Sequence, residues 1–522
     1  MDSKLFVRDE VMKFINGRTK ARKVYKGIKN HGSLQVLTVE KPLKALVIQN
    51  LIAELKNFTF VEKVSDLFEF QQSFDFQDLD PSKYPMCVKL HEIFEENMKK
   101  LAESLFKVEL AGAVSMTASK YAYKDFLLCH DDRVEDRGVA FILYLEDWEN
   151  QYGGTLDFFS HDERGCAEDL SFSILPKTNR LVLFSVNDLS HHQVAEILRN
   201  DRARLAISGW FHTGRTNDLN NNRALPDRAP TFAPILVNHP ISRFAFEIDY
   251  LYLRRGVKYF AEQAEPLRRE IVRNNCVLLK PFLNDNCYNM VLTELQSDKV
   301  KWRTVGSAAR RKYQVAETRR RKVWNCPAIT NLLLSLQGTS FMKLLSLFIL
   351  QKLDCHEADI SVATEVIKFK KGDYMLAIDE LLYGKRSTVD LWLFFNADHV
   401  NSGFAGDFGY FDKQKKRTMC LTPNSNGAFI VARTSNLLPF MSYMNDDIGD
   451  KTHFAISIKY SVEYKASELR GQLTNLPAII CGDTNKWLVI NAINNAACSY
   501  AMPMDTDSDD DDVLPHKRSR LE

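Results

Sequence analysis

Apolar residues recur at three- and four-residue spacing over 40–60 (EKPLKALVIQNLIAELKNFTF) and 87–110 (CVKLHEIFEENMKKLAESLFKVEL), a period that gathers them on one face of a helix. After 112 the pattern changes. Short runs such as VAFILYLED, GTLDFFS, NRLVLFSV and RLAISGWFHT, rich in β-branched and aromatic residues and separated by Gly, Asn and Asp, predict strands. The helical period returns at 241–300 and 328–352, and strands resume over 361–462. The order helices then strands therefore occurs twice, and the fold class this predicts is α+β, mainly β cores with flanking helices. Between the two halves, GRTNDLNNNRALPDRAPTFAPI (214–235) is polar and punctuated by proline, as a linker is.

The repetition extends to individual residues. SKYAYKDFLLCHDD (119–132) can be laid on VIKFKKGDYMLAIDE (366–380), and RARLAISGWF (202–211) on KTHFAISIKY (451–460). Asp125 to Asp373 is 248 residues, Pro176 to Pro423 is 247, and Ala206-Ile207-Ser208 to Ala455-Ile456-Ser457 is 249. So constant an offset over both stretches implies a duplicated β-fold.

Length agrees with two units: 522 residues with 45% hydrophobic content exceed the ~250 to 300 at which a single core stops growing. A net charge of +2 removes any global attraction to nucleic acid or membrane and leaves only local basic surface. The ten cysteines form no CxxC pair and MDSKLFVRDE has no apolar leader core, so a reducing, non-secretory setting is expected. The most hydrophobic run, FMKLLSLFIL (341–350), is short of the ~20 residues that span a bilayer. No membrane association is expected.

The chemistry concentrates in FLLCHDD (126–132). In an extended strand residues i and i+2 face the same way, which puts Leu128, His130 and Asp132 on one face and Asp131 on the other. An imidazole and a carboxylate so placed are two parts of a 2-His-1-carboxylate metal site. Alone the signal is weak, since on the order of one His-x-Asp/Glu is expected by chance in such a chain; His161-Asp162-Glu163 also fits, in a polar loop. A second histidine is available in NRLVLFSVNDLSHHQVAEIL, where parity leaves His191 and His192 open. In RARLAISGWF alternation puts Arg204, Ala206, Ser208 and Trp210 on one face, and Arg204 is the better placed of Arg202 and Arg204 to hold a carboxylate in two bonds.

These residues resemble the Fe(II)- and 2-oxoglutarate-dependent oxygenases: HxD at His130 and Asp132, a distal histidine about 60 residues on, and an arginine twelve residues later. That spacing favours His192. Tyr152-Gly153-Gly154-Thr155-Leu156 and the strand Phe141–Leu145 match the prolyl-hydroxylase branch. Across about residues 30 to 500 the chain looks like the two-domain eukaryotic ribosomal prolyl 3-hydroxylases. The resemblance implies two tandem double-stranded β-helix (jelly-roll) domains: a catalytic one at 1–213, a linker at 214–240, and a degenerate, metal-free one at 241–500, before a tail at 501–522. It further implies iron ligands His130, Asp132 and His192; Arg204, helped by Tyr144, on 2-oxoglutarate; O2 as cosubstrate and L-ascorbate as iron reductant. The substrate implied is a proline, hydroxylated at C3, of a small-subunit ribosomal protein. Ribosome or translation-factor contacts are assigned to the second domain.

Carrying the offsets across, His130 falls on Ile378, Asp132 on Glu380, His192 on Met441 and Arg204 on His453. The second copy should hold no iron. KWRTVGSAARRKYQVAETRRRKVWN (301–325) is locally basic: a solvated helix face is the plainer expectation, an RNA contact the sharper one. His161 and His212 read as surface histidines, His191 as a neighbour facing away, and Cys129 as packed. The tail turns from acidic to basic, the composition of a disordered segment. Its Lys517-Arg518-Ser519-Arg520 reads as a nuclear import signal, giving a nuclear and cytoplasmic expectation.

Overall fold

A computed structural model describes residues 6–16, 26–31, 34–214, 233–234, 262–317, 326–338, 341, 345, 361–377, 388–400 and 406–461. The chain is mostly β. One antiparallel sheet contains β1 (Lys26–His31), β2 (Leu34–Glu40), β3 (Val61–Val64), β4 (Phe68–Gln72), β5 (Ser115–Tyr121), β6 (Phe126–His130), β7 (Arg137–Tyr144), β8 (Leu156–His161), β9 (Ala167–Ile174), β10 (Arg180–Ser185), β11 (His192–Val194) and β12 (Arg204–His212). The second contains β13 (Ala233–Pro234), β14 (Cys276–Leu279), β15 (Trp302–Val305), β16 (Arg311–Ala316), β17 (Ser361–Phe369), β18 (Tyr374–Met375), β19 (Thr388–Phe395), β20 (Phe408–Asp412), β21 (Arg417–Leu421), β22 (Ala428–Arg433), β23 (Leu437–Met441) and β24 (His453–Ser461).

The strand orders coincide. From β2 the first sheet runs β2-β10-β7-β12-β5-β4-β6-β11-β8-β9 with β3 on β4; the second runs β14-β22-β19-β24-β17-β16-β18-β23-β20-β21 with β15 on β16. Helices α1 (Asp9–Ile15), α2 (Ala45–Leu55), α3 (Pro85–Ile93) and α4 (Lys99–Phe106) accompany the first sheet, and α5 (Ala264–Asn274), α6 (Asp285–Leu295) and α7 (Pro327–Leu336) the second. Helix α2 buries Val47, Ile48, Leu51 and Leu55; α6 buries Cys287, Val291 and Leu295. These four-residue repeats form the one-sided apolar stripe that the period required.

Small polar devices repeat as well. Glu54 accepts the free Met86 and Cys87 N–H groups at the start of α3 (2.8 and 3.0 Å), and Glu294 accepts those of Ala328 and Ile329 in α7 (3.0 and 2.9 Å). Asn179 exchanges two bonds with the backbone of Leu43, and Asn426 does so with that of Leu283. Both asparagines have positive φ, 57° and 58°, a conformation asparagine tolerates better than most residues. The carboxylates of Asp125 and Asp373 accept the N–H three residues earlier, from Ala122 and Lys370. Duplication is thus visible in topology and in hydrogen bonding.

Three expectations change. Four strands precede residue 112, where only helices were expected. The basic stretch at 301–325 starts as a β-hairpin, not a helix: Arg311, Tyr313 and Val315 are buried while Lys312 is exposed, an alternation of period two. The equation of Met441 with His192 fails. Ile197 and Met444 make the same backbone bonds to Asp125 and Asp373, and Val194 pairs Leu127 as Met441 pairs Met375, so His192 corresponds to Pro439. The connection into β24 is two residues longer than that into β12, and the equal spacing in sequence hid a register difference. Ile378, Glu380 and the tail lie outside the described residues.

The halves pack through shared clusters. Phe70, Tyr121, Phe126 and Leu127 meet Tyr374, Leu376 and Tyr443, and Cys129, Phe159 and Ala167 meet Ala308. Ala308 N–H donates to the Ala167 carbonyl (2.9 Å), Ala377 N–H donates to Asp66 (2.8 Å), and Lys124 pairs with Asp447 (2.6 Å). Strand β6 is accordingly buried along its whole length. Among the described residues no helix is long and apolar enough to cross a membrane.

Candidate metal centre

Strands β6 and β11 run antiparallel with His192 opposite His130, while Val194 faces Leu127. Three residues of β6 thus match two of β11, a β-bulge that redirects side chains. As a result Leu127 and His130 line one cavity, and Leu128, expected on that face, does not. The imidazoles approach to 4.2 Å between ring centres.

Asp132 reaches the histidines by a different route from the one expected. The strand ends at His130, and Asp132 has φ 61°, a left-handed conformation that costs a non-glycine residue about 1–2 kcal/mol. The turn is fixed by the Val134 N–H on the Asp132 carbonyl (2.7 Å) and the Arg133 N–H on Asp131 Oδ1 (3.1 Å). It folds the Asp132 carboxylate back, Oδ1 3.4 Å from His130 Nε2 and Oδ2 3.4 Å from His192 Nε2. The donor atoms of all three lie within 4.8 Å of one another, and all three residues are buried. Among the described residues this is the one cluster of His, Cys, Asp and Glu with such spacing.

Each imidazole is oriented from behind. His130 Nδ1 lies 2.8 Å from the Leu128 carbonyl and His192 Nδ1 2.7 Å from the Ser190 carbonyl. A carbonyl only accepts, so Nδ1 carries the proton and each Nε2 lone pair faces the centre. Trp210 Nε1 donates to Asp132 Oδ2 (3.1 Å), and the Arg137 guanidinium stacks 3.7 Å from the Trp210 ring centre. Asp132 Oδ1 is buried without a hydrogen bond. Burial opposes a charged carboxylate there, but His192, His130 and Arg137 outweigh it and hold Asp132 ionised well below the usual range. Burial lowers His192 to about 4; at His130 Asp132 overcomes the burial penalty and raises the pKa. A donor set of two imidazoles and a carboxylate, one carboxylate oxygen still unsatisfied, suits a divalent first-row metal such as Fe(II).

The same cavity extends to Arg204. On β12 this residue pairs with Tyr121 of β5, and its guanidinium sits 4.6 Å over the Tyr121 ring and 5.5 Å from the Tyr144 ring. Its Nη1 donates to the Gly154 carbonyl (2.6 Å), while Arg204 Nε and the Tyr144 hydroxyl are buried with no hydrogen bond. Burial pushes the Tyr144 phenol up to about 12, against the pull of Arg204, so it stays a donor. Gly153 and Gly154 have φ 65°, and a Cβ on Gly153 would lie 1.9 Å from the Glu196 carbonyl oxygen. Only glycine allows this approach.

The structure therefore brings together His130, Asp132, His192, Arg204 and Tyr144. Three other histidine and cysteine expectations fare differently. His161, expected at the surface, is half-buried with Nε2 3.0 Å from His191 Nδ1. His212 is held by Asp136 (2.6 Å) and Ser115 (2.9 Å). Cys129 is buried and its thiol pushed well up, inert packing as expected. The sequence reading missed Arg137, Tyr121 and a role for Trp210. Trp210 shares the strand parity of Arg204, the one signal that pointed to it.

Residues 116–212 match the family model of the 2OG-Fe(II) oxygenase superfamily. The chain is 33% identical over 272 residues to prolyl 3-hydroxylase OGFOD1 of Mus musculus, a match covering 52% of this chain and 47% of that protein. It is 26% identical over 449 residues to prolyl 3-hydroxylase sudestada1 of Drosophila melanogaster, covering 79% and 80%. The chain thus spans about half the length of the mouse protein and of its Xenopus laevis counterpart. Among solved structures, a Pseudomonas putida prolyl-4-hydroxylase matches with TM-score 0.29 and 22% identity, over 34% of this chain and 91% of that one.

Proposed function

We propose that this chain is an Fe(II)- and 2-oxoglutarate-dependent dioxygenase that hydroxylates a prolyl residue. The observation that carries the reading is a cavity in which two imidazole Nε2 atoms and a carboxylate converge and which reaches Arg204, whose Nε is buried and unpartnered, as is the hydroxyl of the neighbouring Tyr144. The oxygenase family match over 116–212 and the prolyl 3-hydroxylase relatives support it.

In this reading His130, Asp132 and His192 hold iron, which with O2 and 2-oxoglutarate supplies oxidative decarboxylation to succinate and CO2 coupled to C–H hydroxylation. The protein's part is positioning and exclusion of water. Trp210 and Arg137 keep the Asp132 carboxylate aimed. Arg204 and Tyr144 receive the distal carboxylate of 2-oxoglutarate with charge-assisted bonds. Leu127, Leu156, Phe184 and Val194 wall the cavity with apolar surface, which strengthens those bonds by excluding water.

The finer assignments follow from the same reading: two tandem double-stranded β-helices, the catalytic one at 1–213 and a metal-free one at 241–500; C3 of a proline in a small-subunit ribosomal protein as target; ascorbate as reductant; and nuclear and cytoplasmic residence. The second unit fits a metal-free role, since His453 and Pro439 stand where Arg204 and His192 stand in the first. Anaerobic addition of 2-oxoglutarate to the Fe(II)-loaded protein should give a metal-to-ligand charge-transfer band, whose absence removes the enzyme reading. Mass spectrometry of decoding-centre ribosomal proteins from cells carrying wild type or His130→Ala should show hydroxyproline lost in the variant; unchanged hydroxylation moves the substrate elsewhere.

A further inference from the structure

Glu196 joins the two halves at a point directly behind Arg204. Its carboxylate accepts the backbone N–H of Asp446 at Oε1 (2.8 Å) and the hydroxyl of Tyr443 at Oε2 (3.4 Å), both from the second half. Its own carbonyl accepts the Gly154 N–H (3.1 Å), and the Gly154 carbonyl accepts Arg204 Nη1 (2.6 Å). The Gly154–Arg204 link is buried and the two links to the second half are part-buried; Glu196 itself is 6% exposed. Gly153 closes against Ile197 and the Leu198 N–H donates to the Tyr152 carbonyl, so residues 152–154 and 196–198 form one rigid pair of segments. Tyr443 also packs its ring 4.5 Å from Phe126, at the start of the strand that ends in His130.

We infer that Glu196 is a positioning residue for 2-oxoglutarate: the second half, through Tyr443 and the Asp446 N–H, fixes the Glu196 segment, and that segment fixes the Gly154 carbonyl that aims Arg204. The inference rests on the oxygenase reading above and gives the metal-free half a role in cosubstrate affinity. An arginine fork holds a carboxylate only in a narrow geometry, and partners behind a binding group commonly set its effectiveness. A purely structural Glu196 would affect stability and every ligand alike; a positioning one weakens the carboxylate site and spares the metal.

The test uses the full chain. Mn(II) and then 2-oxoglutarate are titrated calorimetrically into wild type, Glu196→Ala, Glu196→Gln and Tyr443→Phe, with thermal melts alongside. Expected is a 2-oxoglutarate Kd raised roughly tenfold in Glu196→Ala, Mn(II) affinity within about twofold, and recovery in Glu196→Gln, whose amide oxygen still accepts the Asp446 N–H and whose NH2 can donate to Tyr443. Tyr443→Phe should give a smaller shift in the same direction. An unchanged 2-oxoglutarate Kd in Glu196→Ala, or equal losses for metal and 2-oxoglutarate, overturns the inference. Should Glu196→Ala fail to fold, Tyr443→Phe decides by the same comparison. Wild type that binds Mn(II) but no 2-oxoglutarate overturns the reading beneath it, a result distinct from failure of the variants.

Discussion

Arg204 and His453 occupy the same register of the two sheets: Arg204 lies opposite Tyr121 and His453 opposite Phe369. With Tyr144 replaced in register by Phe394, the second half has exchanged a guanidinium and two phenols for an imidazole and two phenyl rings. His453 is fully buried and neither ring nitrogen has a hydrogen bond.

His453→Leu should therefore stabilise the protein. A buried donor left unsatisfied costs about 1–3 kcal/mol, and burial, with His399 adding to it, lowers the His453 pKa to about 3. A histidine depressed in the folded state gives stability above its unfolded pKa of about 6.5 that is lost as pH falls. The gain in Tm from the substitution should widen below pH 6.5; a lower Tm at pH 5 would contradict it.

Asp373 titrates in the opposite sense. Burial raises its carboxyl to about 7, against the Lys370 N–H and nearby Lys312, Lys370 and Lys368. A raised acid contributes stability that is complete below its unfolded pKa and lost as pH rises through the folded one. Asp373→Asn, which keeps an acceptor for the Lys370 N–H, should be more stable than wild type at pH 8 and lose the advantage near pH 4. Melts across that range measure the crossing.

Tyr144→Phe should raise the KM for 2-oxoglutarate about tenfold, the equivalent of one bond of about 1.4 kcal/mol, with kcat close to wild type. The hydroxyl has no partner in the protein, so Tm should stay the same or rise. A kcat effect without a KM effect would exclude this role.

Trp210→Phe removes the indole N–H from Asp132 Oδ2. Metal affinity should drop roughly tenfold or more, read by Mn(II) titration of the otherwise folded protein.

Legibility followed distance along the chain. Strands and the HxD motif were readable because alternation and i, i+2 relations are local. His130 and Asp132 do converge, but by a route the i, i+2 argument did not foresee: Asp132 arrives through a left-handed turn, and the bulge swaps Leu127 for Leu128. A bulge or a positive φ leaves no periodic trace. The duplication was legible from offsets, but Pro439 was not, because a two-residue insertion shifted the register after β23. Early strands such as β2, paired with β10, and β4, paired with β5 and β6, and the Glu196 contact depend on partners distant along the chain, which periodicity does not record.

One consequence follows from the backbone carbonyls that clamp His130 and His192. The donors are aimed before any ion arrives, so the pocket ranks divalent ions by affinity with little remodelling to favour iron. Along the Irving–Williams order Co(II), Ni(II) and Zn(II) bind such donors at least as tightly as Fe(II). In the oxygenase reading proposed above, occupancy in a cell is then set by which ion is supplied, and an excess of any of these three competes with iron for the site.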